Sequence, residues 1–154
     1  AYLAAGADII ETDTFGGTPL VLAEYDLETE ARALNRRAAE LAVEAAREAA
    51  TPETPRFVAG SMGPTTKDIS VTGGITFAEL VENFREQARG LLEGGADLLF
   101  IETCQDWVVP YIGDLLSVHD EPQQLVVDQV GAHRQRRDIA DHLLTYPVPD
   151  PLYL

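Results

Sequence analysis

Cysteine is almost missing from this chain: Cys104 is the only one in 154 residues. A single cysteine excludes an internal disulfide and a metal site built from several thiolates. It fits a reducing, cytoplasmic setting. Basic residues are also scarce, 11 against 26 acidic, for a net charge of −15. Such a balance repels phosphate backbones and leaves no electrostatic footprint for nucleic acid. It reads as a solubilising acidic surface. No apolar run approaches the ~20 residues of a membrane-spanning helix, so no membrane partner is expected. No basic segment leads into an apolar one, so no secretory signal is read. An initial methionine is absent as well: the chain opens on Ala1, and residues 1–5 read as the end of a helix. That pattern suggests a piece of a longer reading frame.

What is present is an alternation of short apolar runs and amphipathic stretches. Residues 8–12 (DIIET) follow Gly6 and read as a buried strand. Thr18-Pro19 supplies an N-cap with proline at the first helical position. Leu27, Ala31, Leu34, Ala38, Leu41, Ala45 and Ala49 then recur at steps of three and four, which predicts one long helix burying that face. Pro52 and Pro55 end it. Residues 56–60 (RFVAG) read as a second strand, running into Ser61-Met62-Gly63-Pro64-Thr65. Thr76 and Glu79 form a capping box, opening a helix with Phe77, Leu80, Val81, Phe84, Ala88 and Leu91 on one face. Gly94-Gly95 stops it, and residues 97–102 form a third strand.

Strand, helix, strand, helix, strand implies a parallel sheet covered by helices. Two stretches, GADIIETDTF (residues 6–15) and GGADLLFIETCQD (residues 94–106), repeat one pattern: Gly-Ala-Asp, an apolar run, then Glu-Thr. The repeat is a βα unit used twice. It points to an α/β fold of partial (β/α)₈ (TIM) barrel type with about three βα units, rather than a doubly wound sheet. No Gly-x-Gly-x-x-Gly follows any strand, which weakens the dinucleotide-binding alternative. Residues 107–154 change character. Eighteen of the twenty alanines lie in the first 106 residues, and all three histidines lie after them. A helix is expected from Pro122 to about Leu144, and residues 146–154 cannot be regular helix. The domain division is therefore 1–106 and an atypical tail, 107–154, of the kind a frameshift or misjoined segment produces.

A barrel places its active site at the carboxyl ends of its strands. Three segments of this chain reach that end: Glu11 to Phe15, Ser61 to Thr65 and Glu102 to Asp106. Carboxylates gathered there are costly unless a cation or hydrogen-bond donors meet them. They could serve a substrate ammonium group or a metal, or simply cap the following helices, and the residues alone leave both readings open. Cys104 reads as a small packing residue. His119, His133 and His142 lack metal-ligand spacing, and the basic patch from Arg134 to Arg137 reads as a solvated face.

These same segments, GADIIETDTF and the run from Val58 through Asp106, resemble the homocysteine S-methyltransferase family, in particular the homocysteine-binding domain of cobalamin-dependent methionine synthases. The strand-end Glu-Thr-x-Thr-Phe, the Gly-Ser-x-Gly-Pro-Thr loop and Ile-Glu-Thr-Cys-Gln-Asp occur in order across residues 1–106. The resemblance implies a (β/α)₈ barrel that transfers a methyl group to the sulfur of homocysteine, forming methionine. It implies zinc held by three cysteine thiolates, methylcobalamin as donor, and cobalamin- and folate-binding modules as partners. By position, Glu102 matches the glutamate that holds the substrate amino group, and Ser61 and Gly63 match the loop lining the pocket. Asp13 falls where the family has Asn. Cys104 does not match a zinc ligand, so the zinc ligands are expected to be missing from these residues, no catalytic residue is assigned, and the chain alone is expected to be inactive. Two other readings stay open: a non-catalytic remnant that docks on a partner chain, and a barrel methyltransferase using another donor, such as S-methylmethionine.

Overall fold

The computed structural model describes residues 1–67 and 74–103, together with the backbone of 124–127. Four strands form one parallel sheet in sequential order: β1 (Ile9–Glu11), β2 (Phe57–Met62), β3 (Leu98–Ile101) and β4 (Gln124–Val127). The helices are α1 (Pro19–Leu22), α2 (Ala31–Ala49) and α3 (Phe77–Glu93). Parallel neighbours need crossovers; α1 and α2 lie in the connection from β1 to β2, and α3 in that from β2 to β3. A strand order without reversal is consistent with part of a barrel and lacks the switch point of a doubly wound sheet.

Local chemistry explains most boundaries. The side chain of Thr18 accepts from the Val21 N–H at the start of α1, with Pro19 at the first helical position. Thr76 and Glu79 close the expected capping box on α3. Gly95 takes a positive φ of 89° just past the end of α3.

Three expectations need correction. The long helix after Thr18 is broken: α1 gives way to two 3₁₀ turns, and Asp26 between them sits at φ 58°, the left-handed region that Asp tolerates better than most residues. The buried face of α2 is also rotated from the expected one. Ala31, Asn35, Ala39 and Ala46 are buried, whereas Leu34 and Leu41 are 45% and 51% exposed. The cause is the close approach of α3. A Cβ on Gly90 would lie 2.6 Å from the Arg32 carbonyl oxygen, and one on Gly94 would lie 2.6 Å from the Ala39 Cβ. Only small residues fit that seam, so alanine outcompetes leucine there. Finally, Gln124–Val127 is strand, where a helix was expected. Its Leu-Val-Val run suits a pleated ladder, and the open edge of β3 offers one. The rest of that expected helix, Cys104, Gln105, Asp106, the three histidines and the basic patch lie outside the described residues.

The core sits between the sheet and the α2–α3 layer. Val58, Met62, Leu99 and Ile101 from the strands meet Ala39, Ala46, Leu80, Phe84, Ala88 and Leu91 from the helices. Side chains alternate along a strand. Ala59, Ser61, Phe100 and Glu102 therefore face the opposite side of the sheet.

Candidate functional site

The carboxyl ends of β1, β2 and β3 are tied together by a chain of hydrogen bonds. Past β1, the Thr12 N–H continues the ladder to the Ala59 carbonyl at 2.9 Å. Thr12 and Thr14 are buried, with their hydroxyl oxygens 2.5 Å apart. Thr14 Oγ1 donates to the Ser61 carbonyl at 2.7 Å, and the Ser61 N–H donates to Thr12 Oγ1 at 3.0 Å. Two threonine side chains thus replace ladder bonds where the strand itself has ended.

Ser61 is 2% exposed and its hydroxyl donates to Glu102 Oε1 at 2.6 Å. The Glu102 N–H donates to the Met62 carbonyl at 3.1 Å, extending the β2–β3 ladder to that residue. The glutamate is half-buried, fixed at its backbone and at one carboxylate oxygen. A carboxylate can accept several bonds, so the Ser61 contact orients the group without exhausting it. Thr103 follows at φ 57°, a left-handed conformation that β-branched residues avoid. Backbone strain of this kind concentrates at functional sites.

Gly63 enters through its backbone. Its N–H donates to the Phe15 carbonyl at 3.0 Å, and a Cβ there would lie 2.7 Å from three atoms of the Phe15 ring. The missing side chain is what lets the ring cover this loop. Phe15 itself is 43% exposed.

The structure therefore joins Ser61 directly to Glu102, and Gly63 to the loop after β1. Asp13 is exposed in that loop, between the two buried threonines. It lies on the far side of β2 from Glu102, roughly 10 Å away by two inter-strand spacings. The repeated Glu-Thr pattern does not bring its two glutamates together. Glu11 is in register with Ala59, and Ala59 with Leu98, four residues short of Glu102. That offset is about 13 Å along the strand direction.

Sequence reasoning missed Asn35 and Gln87. Asn35 Nδ2 donates to the Gly17 carbonyl, and Gln87 Nε2 to the Thr14 carbonyl, both at 2.7 Å. Gln87 lies seven residues after Leu80 on the apolar stripe of α3, and an amide on a buried stripe was the available signal.

Among the described residues, no group of three or more His, Cys, Asp or Glu could hold a metal ion. With one cysteine in the sequence, a three-thiolate zinc site cannot be assembled from this chain. These residues do not fit that metal. No helix among the described residues is long and apolar enough to cross a membrane.

The family model described as homocysteine S-methyltransferase matches residues 1–109. Among solved structures, the metallated form of the homocysteine methyltransferase MmuM from Escherichia coli is similar at 30% identity and a TM-score of 0.62, over 76% of this chain and 44% of that one. Its oxidized form is similar at 28% identity and a TM-score of 0.64, over 77% of this chain and 44% of that one. The chain thus spans less than half the length of these proteins.

Proposed function

This chain belongs to the homocysteine S-methyltransferase family, and from that premise we propose that its strand ends form part of a homocysteine site. The Glu102 carboxylate receives the substrate ammonium group. The observation that carries this is the Ser61–Glu102 hydrogen bond, which holds a half-buried carboxylate at the end of β3. A charge-assisted bond from an ammonium group is among the stronger polar contacts. Gly63 and Ser61 line the loop beside it, and Asp13 adds a second negative charge at the same end of the sheet.

In the reaction class, the homocysteine sulfur attacks a methyl carbon, a C–S bond forms, and the bond from methyl to donor breaks. The thiolate is the reactive form, and three cysteines would be needed to hold a zinc ion that favours it. Those cysteines are not in this sequence, so the chain contributes binding and orientation. Methylcobalamin, delivered with cobalamin- and folate-binding modules, is the donor the motif pattern favours. A non-catalytic remnant, which the single cysteine favours, is the second reading, and a different methyl donor the third.

The test compares ligands on the purified chain by calorimetry. L-homocysteine should bind in the millimolar range or tighter, and 4-mercaptobutanoate, which lacks only the amino group, at least tenfold more weakly. No methionine should form from homocysteine with zinc and either donor present. Equal affinity for the two ligands, or methionine formed by the chain alone, would overturn this reading.

A further inference from the structure

Gln87 is wholly buried on α3, a helix that lies on the other face of the sheet from Glu102. Its Nε2 donates to the Thr14 carbonyl at 2.7 Å, and the Ser61 carbonyl lies 3.5 Å away. Thr14 Oγ1 donates to that same Ser61 carbonyl, and Ser61 Oγ donates to Glu102. One carboxamide in the helical layer thus stands behind the β1 and β2 strand ends at once. Packing does not require an amide there. The surrounding stripe of Leu80, Phe84, Ala88 and Leu91 is apolar, and an unbranched apolar side chain would fill the same space without burying polar atoms.

We propose that Gln87 is a positioning residue for the homocysteine site: its carboxamide fixes the loop after β1 against Ser61, and through Ser61 sets the orientation of the Glu102 carboxylate. The inference rests on the reading of Glu102 as the ammonium acceptor. It differs from that reading in naming a residue that touches no substrate. A pocket built this way is stiff because its carboxylate is oriented before ligand arrives, and misplacement by a fraction of an ångström weakens binding.

The experiment measures L-homocysteine affinity by calorimetry for the wild-type chain, Gln87→Met, Glu102→Gln and Leu92→Ala. The last removes half-buried apolar volume from α3 with no bond to the strand-end loops. Amide exchange at Ser61 and Gly63 is followed by NMR in the same proteins. Gln87→Met should weaken homocysteine about tenfold and speed exchange at Ser61, whereas Leu92→Ala should leave affinity within twofold of wild type. If Gln87→Met does not fold, Thr14→Val removes the next link of the chain and should give the same loss. Wild-type affinity within twofold in a folded Gln87→Met or Thr14→Val chain would overturn the positioning role alone, provided Glu102→Gln has lost binding. If Glu102→Gln also binds normally, the reading of Glu102 and the inference built on it both fail.

Discussion

Ser61 presents one residue doing three separate jobs at a strand end. Its N–H donates to the Thr12 hydroxyl oxygen, its carbonyl accepts from the Thr14 hydroxyl, and its own hydroxyl donates to Glu102. Gly63, two residues on, matters for what it lacks. A methyl group there would press on the Phe15 ring at 2.7 Å. Because the ring is 43% exposed, it can swing outward, so the cost falls at the low end of the overpacking range. Gly63→Ala should therefore lower stability by about 1 kcal/mol, read as a drop of a few degrees in a thermal melt. It should also weaken homocysteine binding by displacing the loop. An unchanged melt and unchanged affinity would contradict the contact. At this scale the sequence was legible in part. Ser61, Gly63, Glu102 and Asp13 were singled out by the family resemblance, and the meeting of their strand ends could be read from the order of elements. The link through Gln87 could not, because it depends on the close approach of residues 73 apart in the chain. Likewise, two copies of Glu-Thr say nothing of the register offset that separates Glu11 from Glu102.

Helix α3 shows how far local signals reach. Its capping box, its glycine stop and its apolar face from Leu80 to Leu91 were readable, since each depends on neighbours within one or two turns, whereas Phe77 at the head of that face is 44% exposed. Glu79 accepts the Thr76 backbone N–H and its hydroxyl, which holds the Glu79 carboxyl below the usual carboxylate range. Glu93 is likewise lowered, first by its hydrogen bond from Arg32, which clamps α2 to α3. A depressed carboxyl stabilises the folded state above its unfolded pKa, and that contribution is lost as pH falls through the folded value. Melts run from pH 7 to pH 3 should decline below about pH 4. Glu79→Gln keeps an acceptor but cannot titrate, so its decline should be shallower; a decline as steep as wild type would contradict the role of the cap.

Helix α2 shows where local signals stop. Its apolar residues form two adjacent stripes, and periodicity alone cannot say which one meets a neighbour. The glycines of α3 decide it, by admitting only the alanine stripe. Leu34→Ser and Leu41→Ser should each change stability by less than about 0.5 kcal/mol, whereas Leu91→Ala, at a site with no exposure, should cost about 2–5 kcal/mol. Chemical denaturation of the three variants checks this. A loss above 2 kcal/mol for either exposed leucine would show that its stripe is covered.

For the whole molecule, the parallel order β1-β2-β3 with a helical layer of α2 and α3 was legible from the repeat and from the alternation of elements. The fourth strand was not, because Leu125-Val126-Val127 sits in a segment whose periodicity also suits a helix, and only the edge of β3 arbitrates. The proposed homocysteine site lies at the carboxyl ends of those strands, where Ser61 donates to Glu102. The most direct measurement is carbon NMR of the chain labelled at the glutamate carboxyl carbon, titrated with L-homocysteine and with 4-mercaptobutanoate. Glu102 is assigned by the signal missing from Glu102→Gln. The Glu102 signal should shift and saturate with homocysteine and stay in place with the compound lacking an amino group. A Glu102 signal unmoved by homocysteine, or moved equally by both, would contradict the proposed ammonium contact.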